Sequence, residues 1–416
     1  MMLYWYPYEG PLMPIYGTVF RDLMAKGHKV TIVTSFPHYR KGRPETWEEF
    51  RGRLFEKTTW HGARVIRCYV FAPVFLCAKL ALFYRALNFI SFSVFGAIGA
   101  IFMTGKQDLL LAPSSPPVTN GMCACFVAYL KRIPLIYNVH DIYPDMAIKL
   151  GILRNRFAIN LARLAEDFVY RKAERLMVIS ESMRRNLISK KAREEKISVV
   201  PILVDTDVLR PLAKRNRFSL RFGLTDKFVV MYAGNIGLPH GLESVIQAAE
   251  RLRDHEDILF LFVSRGEHKE EIIRLSRSKG LENVVFLPQQ PECLVSDIWA
   301  SADVSLVCYR RGLSTDSMPS KILAIMASGR PVLAMVDRDS DVWELVTRAR
   351  CGLCLPPENP RLLSQALLRL RREEGKRKRM GERGRRFVVE NLSRDAVGGR
   401  YEELFENTLR SVRRGQ

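Results

Sequence analysis

The segment from Phe228 to Gly241 reads FVVMYAGNIGLPHG and joins an uninterrupted apolar run to a turn rich in glycine. An apolar run without polar alternation is typical of a parallel strand that is covered on both faces of its sheet. The residues that follow, Glu243 to Arg253, have the spacing of a helix. The segment therefore predicts a strand, a turn and a helix, and glycines in such a turn let the backbone approach a ligand.

The same alternation of strand and helix continues in both directions from this segment. Helical stretches such as Lys269 to Lys279 separate the strand-like runs. Strands that alternate with helices predict right-handed crossover connections and a doubly wound α/β architecture. The predicted strands are Lys29 to Thr34, Asp108 to Ala112, Leu135 to Val139, Leu176 to Ile179, Ile197 to Val200, Phe228 to Tyr232, Ile258 to Val263, Val284 to Leu287, Val304 to Val307 and Pro331 to Ala334.

The pattern also predicts how the chain divides into domains. Residues 205–227 are polar, basic and weakly periodic, as is typical of a connection between domains, and a new strand begins at Phe228. We therefore predict two Rossmann-like domains, 1–205 and 206–385, that face each other across a cleft. Residues 386–416 are predicted to form a basic helical tail, for which a return to the first domain stays open.

The composition is that of a folded protein with an anionic partner. Of 416 residues, 47% are hydrophobic and 10% aromatic, which excludes a disordered chain. A formal net charge of +21 favours nucleic acid, a negatively charged membrane or phosphorylated substrates as partners. No nucleic-acid-binding motif accompanies the basic tail, so we predict no nucleic acid partner. The 8 cysteines are scattered, and Cys351 and Cys354 lack a second pair or histidines nearby, so no metal site is predicted.

The region from Tyr69 to Met103 is unusually apolar. No charged residue occurs between Arg85 and Lys106, a length that reaches that of a membrane span. Three alternatives follow: a transmembrane helix, a buried crossover helix, and a helix whose exposed face lies in the membrane interface. Glycines and polar residues dilute the run, and the basic residues at its ends would attract anionic headgroups. We predict that this region docks on an anionic membrane without crossing it.

Two places in the second half are candidates for ligand binding, because ligands of parallel α/β sheets lie at the carboxyl ends of strands. The first is the glycine turn that follows Tyr232. The second is a predicted helix that Ser317 or Ser320 can cap and that Gly329 ends. Lys321 occupies its first turn, where a cation opposes the helix dipole. A bound anion would remove that conflict, so the position favours an anionic ligand.

Motifs along nearly the whole chain resemble one family. They are the glycine turn at 234–237, Met318 to Ala334, Phe36-Pro37-His38-Tyr39, Ala112 to Pro117, His140 to Asp145, Val178 to Ser180, Pro201 to Asp205 and Ala302 to Val304. Together they resemble the family 4 retaining glycosyltransferases of the GT-B fold. More narrowly, they are similar to the bacterial branch that builds lipid-linked surface polysaccharides, including the fucosamine transferases of O-antigen and capsule assembly.

This resemblance implies a nucleotide sugar, which we expect to be UDP-linked, held mainly by the second domain, and a polyprenyl-diphosphate-linked saccharide as acceptor. It implies retention of configuration, no cofactor besides the co-substrate and no metal. Lys321 is the implied contact to the diphosphate, and Gly237 matches the glycine whose backbone approaches the same phosphates. His140 matches a histidine near the reacting centre, with Asp141 and Asp145 orienting it or the acceptor.

The sequence departs from the family pattern at several of the implied binding positions. Asn235 and His240 stand where many members carry an arginine and a lysine, and Asp316 and Ala324 replace two glutamates. Pro319 and Ser320 complete the predicted donor-binding set. Two other functions therefore stay open: a noncatalytic relative that binds sugar nucleotide, and an enzyme with a soluble sugar acceptor. For the enzyme we expect a cytoplasmic location, peripheral on the inner face of the cell membrane, and the oligomeric state is open.

Overall fold

A computed structural model describes residues 1–5, 13–37, 52–72, 81–315 and 318–415. The chain divides into two compact units, which we describe separately. The first unit contains Met1–Pro201 and Gly398–Gln416, and the second contains Ile202–Val397. The predicted boundary after residue 205 lies close to this division, and the predicted tail contributes residues to both units.

The first unit is built on two groups of strands. The first group has the order β1-β3-β2, with β3 parallel to β1 and antiparallel to β2. The second has the order β4-β5-β6-β7, and all of its pairs are parallel. The strands are β1 Thr31–Ser35, β2 Phe55–Trp60, β3 Ala63–Cys68, β4 Leu110–Pro113, β5 Leu135–Val139, β6 Arg175–Val178 and β7 Ile197–Val199.

The first residues of the chain link these two groups. The backbone N–H of Met2 donates to the carbonyl oxygen of Val33 in β1 at 2.9 Å. On the other side, the amino nitrogen of Met1 donates to the carbonyl oxygen of Leu111 in β4 at 2.8 Å. Residues 1–3 therefore lie between β1 and β4, in the position of a strand.

Helices cover this sheet and connect its strands. They are α1 Met13–Ala25, α2 Ala81–Met103, α3 Thr119–Lys131, α4 Asp145–Lys149, α5 Arg156–Lys172 and α6 Glu181–Ser189. Two of them begin at capping residues: the Asn155 side chain accepts from the Ala158 N–H, and Ser180 accepts from the Met183 N–H. A last helix, α15 Arg394–Gly415, starts in the second unit and ends in the first.

Helix α2 forms most of the apolar region for which three alternatives were predicted. Phe92 and Ala100 on one side pack into the core with Val33 of β1 and Ile66 of β3, while Phe102 on another side is 77% exposed. Within the described residues, Phe83–Met103 is the single helix long and apolar enough to cross a membrane by length and composition, and 33% of its most apolar window is buried. Helix α2 is thus a sheet-covering helix with an apolar exposed side, and its contact with a membrane stays a prediction.

The second unit is a parallel sheet of six strands in the order β10-β9-β8-β11-β12-β13. From the central strand β8, the chain first builds outward through β9 and β10, then returns to the other side of β8 with β11. Ligands of such sheets bind where the strand order reverses, at the carboxyl ends of β8 and β11. The strands are β8 Phe228–Asn235, β9 Ile258–Arg265, β10 Val284–Leu287, β11 Val304–Cys308, β12 Val332–Met335 and β13 Gly352–Leu355.

Eight described helices complete this unit. Its core combines the strand residues Tyr232, Phe260 and Phe262 with Val245 and Leu367 from helices. The helices are α7 Arg217–Arg221, α8 Glu243–Arg251, α9 Lys269–Ser278, α10 Val295–Ala300, α11 Lys321–Ala327, α12 Asp341–Ala349, α13 Pro360–Arg372 and α14 Glu374–Asn391.

Every strand predicted from the sequence overlaps an observed strand, and the α/β class is confirmed. The sequence analysis missed β2, β3 and β13. Strand β2 is half exposed and carries Glu56 and Lys57, so it lacks the apolar run of a buried strand. Strand β13 contains four residues, all only partly buried, at the edge of the sheet.

Candidate functional site

Lys321 is the first residue of α11, and its side chain turns into the protein. Its Nζ lies 3.8 Å from the centre of the Tyr232 ring at the end of β8. The Nζ atom is buried and has no hydrogen-bond partner among the residues that the structure describes. A cation over an aromatic face gains some attraction, but three N–H donors without acceptors leave this ammonium poorly solvated.

Burial therefore destabilises the charged form of this lysine. It lowers the pKa of Lys321 from 10.5 to about 7. The nearby Cys308 thiol supplies no compensating charge near neutral pH, because burial raises its pKa to about 12. A buried cation without a counter-ion is what an anionic ligand would stabilise, so Lys321 is the strongest single indication of a binding site in this unit.

Two glycines shape the backbone around this lysine. Gly234 has a φ of +128°, and a Cβ atom there would lie 3.4 Å from both Cε and Nζ of Lys321. Gly266 has a φ of +134°, and a Cβ atom there would lie 2.2 Å from the carbonyl oxygen of Ile236. Glycine at 266 therefore lets the end of β9 contact the turn after β8, and glycine at 234 leaves that turn open beside Lys321.

His240 lies in the turn after β8, close enough to Lys321 for the lysine charge to act on it. Its Nδ1 is 3.1 Å from both the amide nitrogen and the carbonyl oxygen of Gly237. Burial, followed by the charge of Lys321, lowers the pKa of His240 to about 3, so its imidazole is neutral. The Gly237 amide, which the resemblance implied as a phosphate contact, thus faces the imidazole in this structure.

The other predicted donor-binding residues surround this turn or the start of α11. Asn235 is exposed at the end of β8, and its carbonyl oxygen accepts a hydrogen bond from the Tyr232 hydroxyl at 2.8 Å. Ser320 occupies the N-cap position of α11, but its side chain makes no capping hydrogen bond. Pro319 precedes it, and its carbonyl oxygen accepts from the Ile322 N–H at 3.2 Å. Asp316 and Ser317 lie outside the described residues.

The sequence analysis missed two residues that fix the loops around Lys321. Asp337 accepts hydrogen bonds from the Ser314 hydroxyl at 2.6 Å and from the Gly312 N–H at 2.9 Å, which holds the loop leading toward α11. Arg310 donates to the carbonyl oxygen of Leu238 at 2.8 Å and pairs with Glu243 at 2.5 Å. Arg310 lies two positions after the end of β11, and Asp337 lies two positions after the end of β12. Because ligand-binding loops of α/β sheets follow the strand ends, this position in the sequence could have identified both residues.

His140, at the end of β5 in the first unit, is the centre of a second constellation. It is 7% exposed. Its Nε2 lies 2.9 Å from Nδ2 of Asn138 and 3.2 Å from the hydroxyl of Tyr16. Burial lowers the pKa of His140 to about 4, so the ring is neutral at physiological pH. Its backbone N–H donates to Ser114 Oγ at 3.1 Å, which joins the ends of β4 and β5.

The two predicted aspartates differ in their surroundings. The backbone N–H of Asp141 donates to Ser114 Oγ at 3.4 Å, beside His140. Asp145 instead forms an ion pair with Lys190 at 3.0 Å, and Lys190 also contacts the buried Glu166 at 2.9 Å. Asp145 thus anchors the first turn of α4, and the ring partners of His140 are Asn138 and Tyr16, which the sequence analysis did not select.

The described residues contain no group of three or more His, Cys, Asp or Glu side chains that could hold a metal ion. Cys351 and Cys354 are the closely spaced cysteines for which the sequence offered no further metal ligands. The Sγ of Cys354 lies 4.0 Å from the carbonyl oxygen of Trp343. Burial raises the pKa of both Cys351 and Cys354 to about 12, which keeps these thiols protonated.

Two family models match the chain in succession. The model described as a glycosyl transferase 4-like domain matches residues 17–202. The model described as glycosyl transferases group 1 matches residues 214–387. The matched ranges follow the two compact units closely, and the second range includes the whole Lys321 constellation.

Individual relatives match over most of their length. WcaI of Escherichia coli K12, described as a colanic acid biosynthesis glycosyl transferase, is 26% identical over 364 residues, covering 85% of this chain and 87% of WcaI. The alpha-D-kanosaminyltransferase of Streptomyces kanamyceticus is 25% identical over 301 residues, covering 68% of this chain and 75% of that enzyme.

Solved structures share the fold at low sequence identity. Sucrose-phosphate synthase from Thermosynechococcus elongatus superposes with a TM-score of 0.71 and 17% identity, covering 99% of this chain and 96% of the synthase. Anabaena HepE, solved in complex with UDP-glucose, gives a TM-score of 0.71 and 16% identity, covering 98% of both chains. The chain therefore has the fold that these two structures share.

Proposed function

The chain belongs to the GT-B glycosyltransferase superfamily, its two units being the Rossmann-like domains of that fold, and from this premise we propose its reaction. It transfers a hexose or N-acetylhexosamine-type sugar from a UDP-sugar to a polyprenyl-diphosphate-linked saccharide, with retention of configuration. The reaction belongs to surface polysaccharide biosynthesis, in the branch of the fucosamine transferases. The names of WcaI and of the kanosaminyltransferase support this class of reaction.

The observation that carries the proposal is the buried Nζ of Lys321 at the switch point of the second unit, which has no hydrogen-bond partner among the residues that the structure describes. In glycosyl transfer the bond between the anomeric carbon and the β-phosphate oxygen breaks, and its electron pair stays on the departing UDP. The acceptor hydroxyl oxygen forms the new bond to the anomeric carbon, and its proton passes to the departing diphosphate. Negative charge therefore grows on the diphosphate, where a preorganised buried cation is most effective.

Burial prepares Lys321 for this role before the donor binds. A solvated lysine would have to shed water to contact the diphosphate, whereas this Nζ is already buried, with no acceptor in the described part of the chain. A bound diphosphate raises the pKa of Lys321 from about 7 toward its ordinary value and so keeps the ammonium charged through the reaction. In this proposal the lysine supplies the positive charge that a metal supplies in other enzymes.

The choice of UDP rests on structural relatives. HepE was solved with UDP and with UDP-glucose, and an Escherichia coli trehalose-6-phosphate structure with UDP-2-fluoro glucose. Identities of 14%, 16% and 11% make these structures evidence for the fold, so the nucleotide is our extrapolation from them. The second unit offers the neutral turn at Asn235 and His240 to the donor, where many family members carry cations.

In the first unit, neutral His140 is proposed to contact the transferred sugar or the acceptor. Its Nε2 faces Asn138 and Tyr16, so the other ring nitrogen is the one available to a hydroxyl. Because the ring is neutral at physiological pH, it positions a hydroxyl group by hydrogen bonding without adding positive charge. Asp141, one residue further along, is the nearest predicted carboxylate in the chain and is assigned to orientation of the acceptor.

The direct test measures binding and turnover separately. UDP-, GDP- and dTDP-sugars are screened for thermal stabilisation of the purified protein, and saturation at a hundred times Kd should add about 2.7 kcal/mol of stability. The stabilising donor is then incubated with native lipid-linked saccharides and with soluble sugars. Transfer to the lipid-linked acceptor with the anomeric configuration retained supports the proposal, transfer only to soluble sugars supports the soluble-acceptor alternative, and binding without transfer or hydrolysis supports a noncatalytic relative.

A further inference from the structure

Three neighbouring helices of the first unit expose large apolar side chains. Phe102 on α2 is 77% exposed, Tyr129 on α3 is 79% exposed, and Phe157 on α5 is 78% exposed. Phe126 on α3 and Leu164 on α5 are 56% and 64% exposed. We call the outward sides of α2, α3 and α5 the three-helix face. The sequence analysis selected only its α2 part.

The exposed residues of each helix form a stripe. On α2, side chains with more than a third of their area exposed recur every fourth residue from Ile90 to Phe102. On α5, exposed apolar residues recur at intervals of three or four from Phe157 to Phe168. These intervals place side chains on one side of a helix, so each helix has a continuous apolar edge.

The three helices lie side by side, with α3 in the middle. Ser93 of α2 donates a hydrogen bond to Thr119 of α3 at 3.0 Å. A Cβ atom on Gly121 of α3 would lie only 3.0 Å from the side chain of Val169 in α5. Ala124 and Val169 on the inward sides are buried. The exposed stripes therefore point away from the sheet on the same side of the unit.

A contiguous apolar surface of this kind usually marks an interaction site. Its charged surroundings indicate the partner. Exposed basic residues occur in or near all three helices, whereas the exposed acidic residue Asp108 is among the few of opposite sign nearby. These basic residues include Arg85, Lys106, Arg132, Arg156, Arg163, Arg171 and Lys172, of which Arg171 pairs with Asp167 at 2.9 Å. Apolar side chains bordered by cations fit the acyl chains and headgroups of an anionic leaflet.

We propose that the three-helix face inserts shallowly into one leaflet of an anionic bilayer, with α2, α3 and α5 lying in the plane of the membrane. Helix α2 does not span, because Phe92 and Ala100 on its inward side belong to the core with Val33 and Ile66. A span would remove these residues from the sheet they cover. The inference extends the proposed function, since it explains how a lipid-linked acceptor meets the protein.

The test compares a double variant of α5 with a matched control. Phe157→Ser with Leu164→Ser removes apolar area from the part of the face that the sequence did not indicate. Leu220→Ser with Val208→Ser removes comparably exposed apolar residues, 54% and 57% exposed, from the second unit. Cosedimentation is measured with vesicles of phosphatidylglycerol and phosphatidylethanolamine, and with vesicles of pure phosphatidylcholine.

We expect wild type and control to bind the anionic vesicles at least tenfold better than the neutral ones, and 0.5 M NaCl to weaken that binding. The α5 variant should lose at least tenfold in partitioning while its melting temperature and UDP binding stay at the wild-type values. If the α5 variant is less stable, Tyr129→Ser provides a second substitution at a more exposed position. Equal partitioning of variants and wild type would overturn the proposal.

Two further outcomes would also overturn it. If the wild-type protein is a dimer, the α5 variant is a monomer and both bind vesicles equally, then a second copy of the chain covers the face. Protein that resists both high salt and alkaline carbonate in native membranes would mean that α2 spans the bilayer. Because UDP binding is measured on the same samples without membranes, failure of the docking proposal can be distinguished from failure of the proposed reaction.

Discussion

Lys321 in the second unit and His140 in the first are both buried bases, but their surroundings differ. The Lys321 Nζ lies against the Tyr232 ring and has no hydrogen-bond partner among the described residues. The His140 ring has two polar neighbours, Asn138 and Tyr16. Burial lowers the pKa of Lys321 to about 7 and that of His140 to about 4. At neutral pH the lysine is therefore partly charged and lacks a partner, whereas the histidine is neutral and already held in place.

This difference separates two kinds of contribution to one reaction. An unsatisfied buried cation gains most when an anion arrives, so Lys321 is suited to binding and stabilising a diphosphate. A neutral ring fixed by its neighbours gains little from charge and contributes orientation, so His140 is suited to placing a hydroxyl group. The two positions should therefore respond differently to mutation and to pH.

The largest effect is expected from Lys321→Met, which removes the charge and keeps most of the side-chain length. Loss of one preorganised electrostatic group typically reduces the rate on the order of a hundredfold or more. The decrease is measured as the steady-state rate of sugar transfer at saturating acceptor. The control is Lys227→Met, because Lys227 precedes β8 at the opposite end from the site and donates to the carbonyl oxygen of Glu256 at 2.8 Å. Activity of Lys321→Met within a few-fold of wild type would remove this residue from the mechanism.

The affinity for UDP should fall as pH rises above 7. The free protein loses the Lys321 proton near pH 7, and the bound diphosphate favours the protonated form. Between pH 7.5 and 9 the ligand itself is fully ionised, and Kd should rise with a slope that approaches about tenfold per pH unit. Titration calorimetry across this range measures the slope. A wild-type slope as flat as that of Lys321→Met would contradict the lowered pKa.

His140→Ala should lower kcat more than it weakens UDP binding. One lost hydrogen bond of about 1.5 kcal/mol corresponds to roughly a tenfold decrease in rate. The Kd for UDP should stay within about twofold, because the donor nucleotide is assigned to the second unit. Collapse of UDP binding with normal turnover per bound donor would show that the division of labour between the units is wrong.

A last effect concerns the stability of the protein without ligand. The native pKa of Lys321, about 7, lies below its unfolded value of 10.5, so the unfolded chain binds more protons between these pH values. The contribution of this residue to stability is therefore most unfavourable below pH 7 and improves as pH rises, by at most about 1.4 kcal/mol per unit. Lys321→Met should melt at a higher temperature than wild type at pH 6.5, and the difference should shrink by pH 9. A difference independent of pH would contradict the linkage.

Several features of the fold could be predicted from local sequence because each depends on one buried segment. The run at Phe228 and its counterparts are apolar on both faces, a pattern typical of a parallel strand covered on both sides. Strands β2 and β13 escaped prediction because they lie at sheet edges, where partial burial permits polar or mixed sequences. Of the two residues predicted to cap α11, Ser320 occupies the N-cap position but its hydroxyl makes no capping bond, and Ser317 lies outside the described residues.

The candidate site divides in the same way. Lys321 was selected from the sequence because a cation in a first helical turn conflicts with the helix dipole. That its Nζ lies against Tyr232 beside Gly234 depends on how α11 packs against the end of β8. Asp337 accepts a hydrogen bond from the Ser314 hydroxyl in a different loop, and no spacing in the sequence indicates that these two residues meet.

The sequence by itself determined the α/β class, the strands of the sheet interiors and the residue types at the strand ends, because these follow from hydrophobic periodicity and turn chemistry within short segments. Only the tertiary structure decided which of those residues meet. It joined Asp145 to Lys190, gave His140 the partners Tyr16 and Asn138, and aligned three apolar helix edges into one face. Such encounters depend on contacts between distant segments, and burial, which sets both pKa values and exposed area, exists only after those segments have packed.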